Sequence, residues 1–166
     1  MTQLTEHISL EEMQQSHHGI DNTCPDEFKD NLQKAADKAE QARGILSDAA
    51  GVECHLRITY GYRCAAENTA CGSTTQTSAH SFALATDSVP DPDLFTLRKA
   101  WDALRQHPTF MDDVDQLIIE RGCIHIDLPV ETHNFIARHE LRTDITASDG
   151  TRHYPLWAIW PNEGND

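Results

Sequence analysis

Between Pro25 and Leu46 the residues Phe28, Leu32, Ala35, Ala39, Ala42 and Leu46 recur every three or four positions. That spacing lines apolar side chains along one face of an α-helix, and Pro25 suits its first turn. No other run in the chain demands a structure so strongly. A helix with one apolar stripe must lay it against another element, so the runs around it decide the fold class.

Those runs are mixed. Ser9 followed by Glu12 is a capping-box pattern, which predicts a short helix in "SLEEMQQS" with Leu10 and Met13 turned inward. "VECHLRITYGYR" alternates through Val52, Cys54, Leu56 and Ile58 until Gly61, predicting a strand that delivers Arg63 to its end. "CAAENTAC" suggests a short helix and "GSTTQTS" a polar loop. "FALAT" then reads as a buried strand ended by Asp87. Asp91 and Pro92 suit the cap and first turn of a second large helix through Leu94, Leu97, Trp101 and Leu104, broken at Pro108. "VDQLIIE" and "CIHIDL" flank Arg121 and Gly122, the spacing of a tight hairpin with Glu120 and His125 at or beside its strands. Beyond Pro129 there are strand-like pieces and a turn at "SDG" but no clear period. The order lacks regular alternation and repeats, which favours an α+β fold, a small antiparallel sheet flanked by helices, over a doubly wound one. At 166 residues one domain over 1–166 is expected.

Charge and cysteine usage narrow the function classes. Thirteen basic against 27 acidic residues leave a net charge of −14, which repels nucleic acid and anionic membrane surfaces, so neither is an expected partner. No stretch approaches the roughly 20 apolar residues needed to span a bilayer. The start "MTQLTEHISLEEMQQ" lacks the basic and apolar segments of a secretory signal, so synthesis and folding in a bacterial-type cytosol are expected. Cys24, Cys54, Cys64, Cys71 and Cys123 are odd in number and include no Cys-x-x-Cys pair. Free thiols are expected rather than a disulfide framework or a zinc ribbon.

Ten histidines make any one of them uninformative. His7, His17, His18, His55, His107, His133, His139 and His153 read as surface or satisfied structural residues. His80, Asp87 and His125 differ in setting. A carboxylate at the end of an apolar strand needs a partner or a metal. His125, between Ile124 and Ile126, points away from both in an alternating strand. Imidazole nitrogen and carboxylate oxygen are good zinc ligands, and three of them leave a fourth position open.

"YGYR", "TSAH…ALATD" and "QLIIERGCIHI" resemble, in order and rough separation, the zinc peptidases of the D-alanyl-D-alanine carboxypeptidase type. That family includes wall carboxypeptidases, vancomycin-resistance dipeptidases and phage peptidoglycan endopeptidases, and hedgehog signalling domains are structural relatives. The resemblance covers about residues 2 to 128, because "LTEHISLEEMQQS…GIDNTCP" and the following helix also look like small phage-associated members. Residues 130–166 are then a C-terminal extension of unknown role. The resemblance implies a hedgehog-like fold, His80, Asp87 and His125 as zinc ligands, and Glu120 as the acid-base residue, with a turn one residue shorter than usual. It implies Arg63 as the holder of a substrate carboxylate or carbonyl and Ser78 beside the metal. Tyr60 stands where the family has serine, Ala83 where it has glycine, and "CIHID" lacks a tryptophan before the last histidine. Asp127, two residues beyond His125, reads either as an orienter of that histidine or as a solvated strand-end acid.

The function expected is hydrolysis of peptidoglycan stem peptides by a zinc carboxypeptidase or endopeptidase, as in a phage lysin acting at the cell wall. The alternative is a phage virion or assembly protein, partnered by other particle proteins, that keeps the fold as a structural or wall-docking module. An acidic α+β domain without metal is the third reading.

Overall fold

The computed structural model describes residues 2–73, 77–120, 122–130, 137–143, 145–146, 152–153 and 156–159. Near the start, Ser9 and Glu12 make the reciprocal capping box of α1 (Leu10–Met13), whose Met13 is buried. The long helix α2 (Lys29–Ala50) carries the expected stripe inward through Leu32, Ala35, Ala39, Ala42 and Leu46. It begins later than Pro25, because Asp26–Phe28 form a tighter 3-10 turn and the backbone of Phe28 breaks the α geometry. It ends at Gly51, whose φ of 70° suits glycine.

The strand β1 (Leu56–Tyr60) is shorter than its sequence pattern. Gly51 turns the chain out of α2, which leaves Val52 54% exposed, and Cys54 donates its N–H to Ser47 instead of a strand. The helix α3 (Ala65–Ala70) follows, then β2 (Ala85–Pro90). Helix α4 (Leu97–Gln106) is capped by Thr96, not Asp91; the Asp91 carbonyl instead accepts from Leu94 and Phe95 in a turn ahead of it. The predicted hairpin forms from β3 (Gln116–Glu120) and β4 (Cys123–Asp127), with Gly122 at φ 98° in the connection. The region without a clear period supplies β5 (Glu140–Thr143), β6 (Ile145–Thr146), β7 (Arg152–His153) and β8 (Leu156–Ile159). The "SDG" turn lies outside the described residues.

The fold is mixed, helices packed on a six-stranded sheet of order β1-β2-β4-β3-β5-β8, with β6 and β7 forming a separate ribbon among the described residues. Contrary to the expectation of an antiparallel sheet, β5 runs parallel to β3. The register gives the reason. Asp127 at the end of β4 and Glu140 at the start of β5 both pair with Gln116. β5 therefore starts at the end of β3 where β4 finishes and lies on its open edge in the same direction as β3. Asp115 clamps this crossing, accepting from the backbone and guanidinium of Arg138.

The two faces of the sheet diverge. Leu56, Ile58, Leu117, Ile124, Ile126 and Leu141 join one core with the apolar faces of α2 and α4, where Trp101 is fully buried and donates its indole N–H to the Leu117 carbonyl. The other face presents Asp87, His125, Asp127, Ile118 and Glu120 in cross-strand register. No helix among the described residues is long and apolar enough to cross a membrane.

Candidate metal centre

Asp87 sits in the middle of β2, directly across from His125 on β4, instead of ending a strand. The run "FALAT" is not extended as expected because Ala79–Phe82 form a 3-10 turn and Ala83 takes the left-handed conformation at φ 56°. Pairing can begin only after that reversal, at Ala85. The left-handed backbone also explains why a glycine suits this position, since a side chain there costs about 1–2 kcal/mol. A small apolar cluster of Ala79, Leu84, Ala85, Leu128 and Val130 packs around the turn and sets His80 against the sheet.

His80 is fully buried, and its Nδ1 donates to the Gly61 carbonyl at 2.6 Å. That bond places the ring proton on Nδ1 and leaves the Nε2 lone pair facing Asp87 and His125. Burial, outweighing the pull of Asp87, pushes His80 down to about 4, so it is neutral at pH 7. Gly61 is held close to α1: a Cβ on it would lie 2.4 Å from the Met13 carbonyl oxygen. The glycine thus brings its own carbonyl to the histidine because it can lie against another backbone.

Three ligand atoms converge here. His80 Nε2 is 3.2 Å from Asp87 Oδ1 and 3.2 Å from His125 Nδ1, and His125 Nδ1 is 2.7 Å from Asp87 Oδ1. One ligand atom from each of the three residues lies within 4.8 Å of the others, so the group could hold a metal ion. Two imidazoles and one carboxylate suit a borderline divalent ion. Burial opposes the charge of Asp87, but the His125 N–H at 2.7 Å and the charge on that ring hold its carboxyl well below the usual range. Burial likewise opposes a charged His125, yet Asp127 and Asp87 raise it to about 10. Its Nε2 lies 3.4 Å from Asp127 Oδ2, while Asp127 Oδ1 accepts the Gln116 N–H at 2.6 Å. Asp127 is 5% exposed, which settles its two readings: it holds the far side of the His125 ring and is not a solvated acid.

His80 and His125 line a cleft of about 580 Å³ together with Arg63, Ser78, Glu120, Asp127 and Arg138, and Asp87 lies behind them in the sheet. Arg63 Nη2 is 3.8 Å from Asp87 Oδ2, and its guanidinium lies over the Tyr60 ring at 5.2 Å. Its Nε is buried with no hydrogen-bond partner among the described residues. Ser78 opens the 3-10 turn and reaches the same cleft, its side chain capping nothing. Glu120 shares the face of His125 but pairs with Cys123, two positions along, about 7 Å by strand rise. It borders the cleft without joining the ligand atoms. Sequence reasoning missed the Gly61 carbonyl, Gln116 and Arg138. Only Gly61, inside "YGYR", carried a local signal; Gln116 acts through strand pairing and Arg138 through its ion pair with Asp115. The chain matches no family model, no curated protein and no solved structure.

Proposed function

We propose that this chain is a zinc-dependent peptidase of peptidoglycan stem peptides. One observation carries the reading: two imidazole nitrogens and a carboxylate oxygen converge at the wall of a cleft that also holds Arg63, whose guanidinium lies beside the carboxylate. His80, Asp87 and His125 would hold zinc, which supplies Lewis-acid polarisation of a peptide carbonyl and a lowered pKa for water.

The protein's own groups do the rest. The Gly61 carbonyl and Asp127 hold the outer nitrogens of the two histidines, so their inner nitrogens face one point. Arg63, kept over the cleft by Tyr60 and Asp87, binds a substrate carboxylate or carbonyl oxygen with its guanidinium. Ser78 offers a hydroxyl at the same wall. Glu120 takes a proton from the attacking water and returns it to the leaving amine. The family resemblance of these residues points to a phage-associated lysin, made in the bacterial cytoplasm and acting at the wall. The displacement of Glu120 along its strand favours a second reading, a virion or assembly protein that keeps the centre for structure or wall docking.

Metal analysis with mass spectrometry of digested peptidoglycan separates the two. Wild type is expected to carry zinc and release peptides, His80→Ala to lose both, and Glu120→Gln to keep the metal while cleaving about 100-fold or more slowly. Wild-type protein that releases no peptide, or Glu120→Gln cleaving at the wild-type rate, overturns the mechanism.

A further inference from the structure

A second set of donors lies beside the cleft on α3. Glu67 is fully buried, and Cys71 caps the same helix one turn on, so both face one direction. The segment before Gly19 wraps this pair: Ser16 Oγ donates to Glu67 Oε2 at 2.6 Å, the His17 N–H donates to Oε1 at 3.2 Å, and His18 Nδ1 lies 2.9 Å from Oε1. Ser16 Oγ in turn accepts the N–H groups of His18 and Ile20, which fixes the loop around the carboxylate. Burial opposes the charge of Glu67, but these bonds outweigh it and hold the group ionised.

These contacts include no permanent cation. Among the described residues the ionic partner of Glu67 is His18, which offers a positive charge only when protonated. A buried anion of this kind is stabilised by a full cation or a metal. Cys71 adds a sulfur donor, and one ligand atom from each of His18, Glu67 and Cys71 lies within 4.8 Å of the others.

We propose that His18, Glu67 and Cys71 form a second metal site, for a thiophilic divalent ion such as Zn²⁺, at the rim of the cleft. Nitrogen, carboxylate and thiolate together select zinc or cobalt over magnesium or calcium, which prefer all-oxygen shells. Binding displaces the thiol proton of Cys71 and the proton shared by His18 and Glu67. Because Cys71 lines the cleft and hydrogen-bonds Tyr60, whose ring lies under Arg63, the bound ion stands next to the arginine proposed to hold substrate.

Cobalt titration tests the site independently of peptidase activity. The set His80, Asp87 and His125 contains no sulfur, so a thiolate-to-cobalt charge-transfer band reports the second site alone. Wild type is expected to bind two equivalents of Co²⁺ with this band, and His80→Ala one equivalent with the band kept. Cys71→Ser and His18→Ala should each bind one equivalent without it. The His18 side chain is 38% exposed, so its alanine variant retains the fold even where a change at Cys71 disturbs it. Wild type without the band, or a band that survives Cys71→Ser, overturns the proposal. Loss of cleavage with the band intact strikes only the peptidase reading.

Discussion

Strand β4 places opposite chemistries one residue apart. Ile124 and Ile126 enter the core under α2 and α4, while His125 and Asp127 face the cleft with Asp87 across the sheet. Both faces are buried, yet burial acts on them differently. On the helix side each apolar group removed from water adds stability. On the cleft side Asp87 and Asp127 are paired with His80 and His125 at a desolvation cost that their contacts only partly offset, so this face holds a site more than it holds the fold. A sheet of this kind separates stability from chemistry by alternation alone.

Ile124→Ala is the strongest way to break that separation. It should lower unfolding free energy by about 2–5 kcal/mol in denaturant titration, while the folded fraction binds as much metal as wild type. A variant of wild-type stability would show that the helix-side face does not hold the fold, and one that loses the metal while folded would show the faces to be coupled.

Of the two faces of the sheet, the cleft face is the one that should respond to pH. In metal-free protein His125 is raised from 6.5 to about 10, mainly by Asp127 and Asp87 against the opposing effect of burial. A folded value above the unfolded one gives stability that is fully present below 6.5 and lost as pH rises toward about 10. Metal binding runs the other way, because it displaces that proton and tightens over the same range. Denaturant midpoints measured from pH 6.5 to 10 with and without a zinc chelator should therefore diverge. Metal-free midpoints that rise across this range would contradict the protonated His125.

The smallest effect belongs to Ala83, where the chain reverses between His80 and β2. Ala83→Gly removes about 1–2 kcal/mol of left-handed strain and gives back about 0.5–1 in chain entropy. A net gain of up to about 1.5 kcal/mol in thermal melting is expected, with metal stoichiometry unchanged.

Much of this is legible in the amino-acid sequence. The stripe of α2, the capping box at Ser9 and the alternation that turns His125 away from Ile124 and Ile126 are local periodicities. The start of α4 was misplaced because Asp91 and Pro92 make a turn as readily as a cap, and Thr96 does the capping. His18 was set aside because nothing near it in the chain announces Glu67, 49 residues away.

The amino-acid sequence by itself determined which residues could be ligands and which side of each strand they take, because side-chain chemistry and period-two alternation are properties of a few neighbouring positions. Tertiary structure decided what those residues meet. The Gly61 carbonyl fixes the tautomer of His80, the crossing from β4 to β5 ties Arg138 to Asp115, and the loop at Ser16 closes His18 over α3. Each joins segments distant in the chain, and such contacts form only when a shared core brings them together.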